Sequence, residues 1–129
     1  RRHLGDDYLV LERILEDIGL PAVDALLRWL RLPAADDFEH MTPIDALRRI
    51  ALANPSERER ITSELGAILL HFNRRPPGLN WLVCDALYLL DATAERALVA
   101  QVLDSGRFDP ELVDDLEELE AWAELAADD

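Results

Sequence analysis

Prolines, glycines and helix-capping residues divide this chain into segments in which apolar residues recur every three or four positions. One segment, AVDALLRWLRL, lies between Pro21 and Pro33, and proline suits the first turn of a helix but not its interior. Its apolar stripe consists of Val23, Leu26, Leu27 and Leu30. Alternation with a period of two residues never persists, and no Asn-Gly or Asp-Gly hairpin turn occurs. The chain is therefore predicted to be all-α.

The same prolines, glycines and capping residues predict about six to seven helices. The first helix is expected to follow Asp6 or Asp7 and to end before Gly19. Residues 33–41 have no apolar period and are predicted to form a loop. Later helices are predicted to start at Thr42-Pro43, Asn54-Pro55, Asn80, Asp91 or Thr93, and Asp109-Pro110. At these starts a polar side chain can accept a backbone N–H bond that the helix leaves free.

The sequence Arg-Arg-Pro-Pro-Gly at residues 74–78 cannot continue a helix, and it marks a possible subdivision of the chain near residues 74–79. The roughly 50 residues beyond this break would form a thin independent core. We therefore predict a single compact helical domain over residues 1–129.

The expected core lies in the helices on both sides of this break. Before it, a helical stripe is formed by Ile61, Leu65, Ile68, Leu69 and Phe72. Gly66, in the same helix, is expected to allow close packing of another helix. After the break, WLVCDALYLL is apolar around nearly its whole circumference, so this helix should be buried and Cys84 inert within it.

Charge is distributed very unevenly. The chain has 27 acidic residues and 13 arginines, and its formal net charge is −14. Residues 76–129 hold 14 of the acids and two of the arginines. Binding to nucleic-acid phosphates needs concentrated positive charge, so we expect no direct nucleic-acid contact.

The residue types that carry chemistry form no recognisable motif. The single cysteine excludes an internal disulfide, and the three histidines lack the spacing of a metal site. No nucleophile elbow and no glycine-rich phosphate loop occurs. We predict no enzyme activity, no cofactor and no metal, and we expect His40 to be a solvated loop residue. A further hypothesis is an enzyme or small-ligand domain that uses residues 36–40 with Arg48 or Arg49.

No stretch of the sequence approaches the ~20 apolar residues that a membrane-spanning helix needs. The first residues, RRHLGDDYLV, lack the apolar segment of a signal peptide. We therefore expect a cytoplasmic protein without a membrane partner.

The last predicted helix is the main candidate for function, because residues 109–129 contain ten acids and no base. Glutamates surround its polar face at Glu117, Glu118, Glu120 and Glu124. Trp122 interrupts that face and is predicted to serve as an interface anchor. This pattern predicts binding to a basic partner, either a basic protein or a nucleic-acid-binding protein. The function expected is that of a non-catalytic regulator that inhibits or neutralises this partner.

The alternative is a structural or oligomeric assembly domain whose acidic face only keeps it soluble. In that case the apolar helices would continue into an interface between copies. The sequence leaves the oligomeric state open.

One stretch resembles a known family. Trp29-Leu30, a short loop and Thr42-Pro43-Ile44-Asp45-Ala46-Leu47 are similar to the helical C-terminal domain of Xre/MbcA/ParS-type antitoxins, over residues ~21–65. The family pattern carries glycine before the Thr-Pro, where this chain has Glu39-His40-Met41. The resemblance implies a protein that binds and silences a partner protein. It also implies a contact surface around Thr42, Ile44 and Asp45.

Overall fold

The computed structural model describes residues 22–32, 38–108 and 116–125. This part of the chain contains six α-helices, two 3₁₀ turns and no strand, so the all-α prediction is confirmed. The helices are α1 (Val23–Arg31), α2 (Phe38–Ala53), α3 (Pro55–Leu69), α4 (Pro77–Leu89), α5 (Arg96–Ser105) and α6 (Leu116–Glu124). The 3₁₀ turns are Phe72–Arg74 and Thr93–Glu95. The helix predicted after Asp6 or Asp7 and the start predicted at Asp109-Pro110 lie outside the described residues.

The chain divides into two units, residues 1–61 and residues 62–129. The division falls inside α3, whereas the predicted break at residues 74–79 lies within the second unit. The single-domain organisation of the chain stays a prediction.

In the first unit, α1 packs against α2 through apolar faces. All four residues of the predicted α1 stripe are buried, which confirms the period read from the sequence. The side chains that α2 buries include Thr42, Ile44, Ala46, Leu47, Ile50 and Ala51. Burial of each large aliphatic side chain contributes about 1.5–3 kcal/mol, so these contacts stabilise the pair more than helix propensity does.

The start of α2 differs from the prediction. The helix begins at Phe38, so Thr42 does not cap it and Pro43 lies inside it. A proline there costs about 3 kcal/mol, because it cannot donate the backbone bond and its ring crowds the preceding turn. His40 helps to offset this cost: only 3% of its surface is exposed, and its Nε2 is 3.1 Å from the Leu32 carbonyl oxygen, within hydrogen-bond distance. The predictions of a loop through residue 41 and of a solvated His40 are therefore wrong.

In the second unit, most of α4 is buried, as predicted, although Leu89 near its end is exposed. Its buried residues are Gly78, Leu79, Asn80, Trp81, Val83, Cys84, Ala86 and Leu87. Burial, together with a smaller effect of the nearby Asp85 carboxylate, raises the pKa of the Cys84 thiol to about 12. Cys84 therefore stays protonated at neutral pH, which agrees with the inert role expected for it.

Asn80 does not cap α4 but lies within its first turns. Pro76 precedes the helix and Pro77 begins it, and neither proline has an N–H group that needs a cap. Instead the buried Asn80 side chain donates from Nδ2 to the carbonyls of Phe72, at 3.0 Å, and Arg107, at 2.7 Å. One side chain thereby joins the turn before α4 to the segment after α5.

The end of α4 has the geometry of a Schellman motif, with aspartate where glycine is usual. The N–H of Ala92 donates to the Leu87 carbonyl, and the N–H of Asp91 donates to the Tyr88 carbonyl, both at 2.9 Å. Asp91 has a φ of 50°, in the left-handed region. Aspartate tolerates this region better than most residues but less well than glycine. The Asp91 side chain is therefore expected to make contacts that offset the backbone cost.

Gly66 does allow a close approach, although the neighbour is a carboxylate and not a helix backbone. A Cβ atom at this position would lie 2.6 Å from the Glu95 Oε2. Burial raises the pKa of the Glu95 carboxyl above its usual value. The space beside Gly66 is thus occupied by the end of a flexible and partly desolvated acidic side chain.

We expect Gly66→Ala to stabilise the protein by about 0.5–1 kcal/mol at pH 7. Alanine favours the helix by up to about 1 kcal/mol, and the Glu95 carboxylate can rotate into water to make room. Because folding raises the pKa of Glu95, its neutral carboxyl contributes to the free energy of unfolding in full below the unfolded pKa. This contribution is lost as the pH rises through the folded pKa. Moving Glu95 into water should remove this loss. Urea unfolding of both proteins between pH 4 and 7 measures both effects.

Ala67→Gly, at an exposed position of the same helix, is the matched control and should lower stability by about 1 kcal/mol. A loss of more than 1 kcal/mol in Gly66→Ala would show that Glu95 is fixed in place.

Candidate protein-binding surface

Helix α6 is fixed to the second unit by an apolar side. Leu119 is fully buried and Ala123 nearly so, while the helix contacts α5 along its length and α4 to a smaller extent. These two residues are four positions apart, so they lie on the same side of the helix. The opposite side of α6 is thereby turned towards solvent.

Trp122 lies on the attached side of α6, with 8% of its surface exposed. Its indole Nε1 donates to Asp91 Oδ1 at 2.9 Å, and its ring packs edge-on against Tyr88 with centroids 5.7 Å apart. The Arg96 guanidinium carbon lies 5.3 Å from the centre of the indole ring, and Arg96 also pairs with Asp91 at 3.5 Å. The prediction of Trp122 as a partner anchor needs correction, because its ring is already engaged within its own unit.

The glutamates predicted for binding are all exposed. We define the acidic face as Glu117, Glu118, Glu120 and Glu124. Glu118 accepts a hydrogen bond of 3.3 Å from the Tyr88 hydroxyl. Within the described ranges, the structure records no ion pair for any of the four. Their negative charge is therefore not neutralised by this part of the chain.

A shallow groove between α5 and α6 extends the acidic face. It has a volume of about 200 Å³ and is lined by Ala100, Leu103, Asp104, Glu120, Ala123 and Glu124. Three carboxylates thus surround a floor of small and apolar side chains. Sequence reasoning missed Asp104, because only the packing of α5 on α6 brings it beside the glutamates.

The two arginines of residues 76–129 have contacts of their own. Arg96 is held by Asp91 and Trp122, as described above. Arg107 donates from its guanidinium to the Asn73 carbonyl at 2.7 Å. These contacts leave the acidic face and its groove as a concentrated negative surface.

The residues for which the resemblance to antitoxins implies a contact surface lie in the first unit. Thr42 and Ile44 are buried, with 4% and 2% of their surfaces exposed, and Asp45 is half-buried. The expected contact surface around these residues needs correction, because buried side chains are not presented to a partner. Arg48 and Arg49 are half-buried, and Asp36 of the hypothetical small-ligand site lies outside the described residues.

Among the residues described, no group of histidine, cysteine, aspartate and glutamate side chains is arranged to hold a metal ion. In the same ranges no helix is long and apolar enough to span a membrane.

No protein-family model, no curated protein and no solved structure matches this chain.

Proposed function

We propose that this protein is a small, non-catalytic regulator that binds a basic partner protein through the acidic face and its groove. The observation that carries the proposal is the placement of three carboxylates around an apolar floor between α5 and α6. Inhibition or neutralisation of the partner, as in the antitoxins that residues 21–65 resemble, is the form of regulation we propose.

The partner is expected to present arginine or lysine side chains on a helix. The aliphatic part of such a side chain can lie against the half-buried Ala100 and Leu103, while its charged end reaches the carboxylates. One exposed ion pair contributes only about 0.2–1 kcal/mol. Several pairs and the apolar contact must therefore act together, which favours a partner with clustered basic residues.

Neutralising the groove is expected to weaken binding of a basic helical peptide at least about tenfold. The variant is Glu120→Gln with Glu124→Gln, which removes two negative charges without changing side-chain length. The probe is a fluorescent amphipathic peptide with arginines along one face, and its dissociation constant is measured by anisotropy. Binding should also weaken as the salt concentration rises from roughly 50 to 500 mM, because the distance over which charges interact shortens to a few ångströms.

The matched control is Ser63→Arg with Ala67→Arg, two exposed positions of α3. It changes the net charge by the same amount away from the acidic face, and it should alter the affinity less than about threefold. Equal effects in the two double variants would show that net charge alone attracts the peptide, and the proposed surface would be wrong.

A further inference from the structure

The second unit contains a small basic region that the proposed function does not use. Residues 62–129 hold 15 acids and four arginines. Three of these arginines, Arg74, Arg75 and Arg107, lie on two segments that the fold brings together. We call these three residues the arginine platform.

Two side chains join the segments of the platform. The buried Asn80 amide donates to the carbonyls of Phe72 and Arg107, and the Arg107 guanidinium donates to the carbonyl of Asn73. The ring of Phe108 also packs against Trp81, with centroids 6.0 Å apart. The backbone that carries the arginines is therefore held in place before any ligand binds, which lowers the entropy cost of binding.

Among the described residues, the structure records no ion pair between an arginine of the platform and an acid of the same unit. Arg74 is exposed and Arg75 half-buried, and neither forms an ion pair with a carboxylate of the described residues. Arg107 is exposed, and its recorded guanidinium contact is with a neutral carbonyl. The Arg107 guanidinium lies beside the backbone that leads into Arg74 and Arg75, so an anionic group bound there would be attracted by several positive charges.

We propose that the arginine platform binds a short acidic segment of a protein partner through its carboxylates. Guanidinium groups match carboxylates in bidentate geometry, and several of them together can hold neighbouring glutamate or aspartate side chains. The net charge of −14 opposes binding of a long polyanion. A short segment is less affected, because at physiological salt a charge acts over only about 8 Å. The platform shares no residue with the acidic face or its groove, so its test does not depend on the proposed function.

The test uses the full chain and a fluorescein-labelled, glutamate-rich peptide at about 150 mM salt. Arg74→Gln with Arg75→Gln is expected to raise the dissociation constant about tenfold or more, measured by anisotropy. The matched control is Arg28→Gln with Arg48→Gln, which removes two arginines from the first unit. The control should change the constant less than about threefold, and circular dichroism should show that both variants keep their helices.

Three other results would overturn the proposal. Equal weakening in the two variants would mean that the peptide responds to net charge and not to the platform. Displacement of the peptide by inorganic phosphate at equal concentration would identify phosphate as the ligand. Concentration-dependent self-association in light scattering, lost in Arg74→Gln with Arg75→Gln, would show that the platform binds a second copy of this chain.

Discussion

Trp122→Ala is expected to lower the free energy of unfolding by about 3–5 kcal/mol, since replacing a buried tryptophan by alanine removes apolar contacts and leaves a cavity. Trp122 has only 8% of its surface exposed and packs against Tyr88. The substitution also leaves Asp91 without the indole N–H and Arg96 without the ring beneath it. Urea unfolding followed by circular dichroism measures the change. A loss of this size is a large fraction of the stability of an ordinary domain.

Two further variants separate the contributions of Trp122. Trp122→Phe keeps an aromatic ring but removes the hydrogen bond to Asp91, so it should cost about 1–3 kcal/mol. Glu117→Ala changes an exposed residue of the same helix and should alter stability by less than about 0.5 kcal/mol. If Trp122→Ala costs less than 1 kcal/mol, α6 is not held by this side chain, and its support must come from Leu119 and Ala123.

Hydrophobic periodicity predicted the helices well, because it reflects burial directly. The stripe of α1 is buried as expected, and so are Leu65, Ile68 and Leu69 of α3. The end of α5 at Gly106 was also predictable, since its φ of 71° suits glycine. In these elements the local sequence and the packing favour the same structure.

Capping patterns were less reliable where a distant contact decided the structure. Thr42-Pro43 has the composition of a helix start, yet α2 begins earlier and places His40 beside the Leu32 carbonyl. Asn80 has the right chemistry for a cap but satisfies two carbonyls from other segments. The sequence shows that such a side chain seeks hydrogen bonds, but it does not show which groups the fold will bring near.

The candidate surface was predictable only in part. Exposure of the α6 glutamates follows from their spacing, because residues on the polar face of an amphipathic helix point to solvent. The same spacing does not decide whether Trp122 faces a partner or the protein itself. The contribution of Asp104 and the joining of the two arginine segments both depend on tertiary packing. Charge is visible in the sequence, whereas the grouping of charges is a property of the fold.

Asn80→Asp is expected to destabilise the protein by about 3–5 kcal/mol at pH 7, although the two side chains have nearly the same size. The substitution replaces a donor of two hydrogen bonds by a carboxylate that faces the Phe72 and Arg107 carbonyls. Only 1% of the residue is exposed, so water cannot solvate the new charge. One buried and one partly buried acceptor lose their donor, and a negative group lies against them. Urea unfolding at pH 7 measures the loss.

The pH dependence of Asn80→Asp identifies the buried charge as the cause. Burial raises the pKa of the introduced carboxyl in the folded chain above its unfolded value of ~3.9. The neutral form of this carboxyl is therefore tolerated in full below the unfolded pKa. The free energy of unfolding of the variant then falls as the pH rises through the folded pKa. The stability difference from the parent protein should shrink between pH 7 and 4.5. The control is Asn73→Asp, at an exposed position in the 3₁₀ turn before α4. It should change the free energy of unfolding by less than about 0.5 kcal/mol at either pH. A difference that stays constant with pH would mean that lost hydrogen bonds alone, and not the buried charge, destabilise the variant.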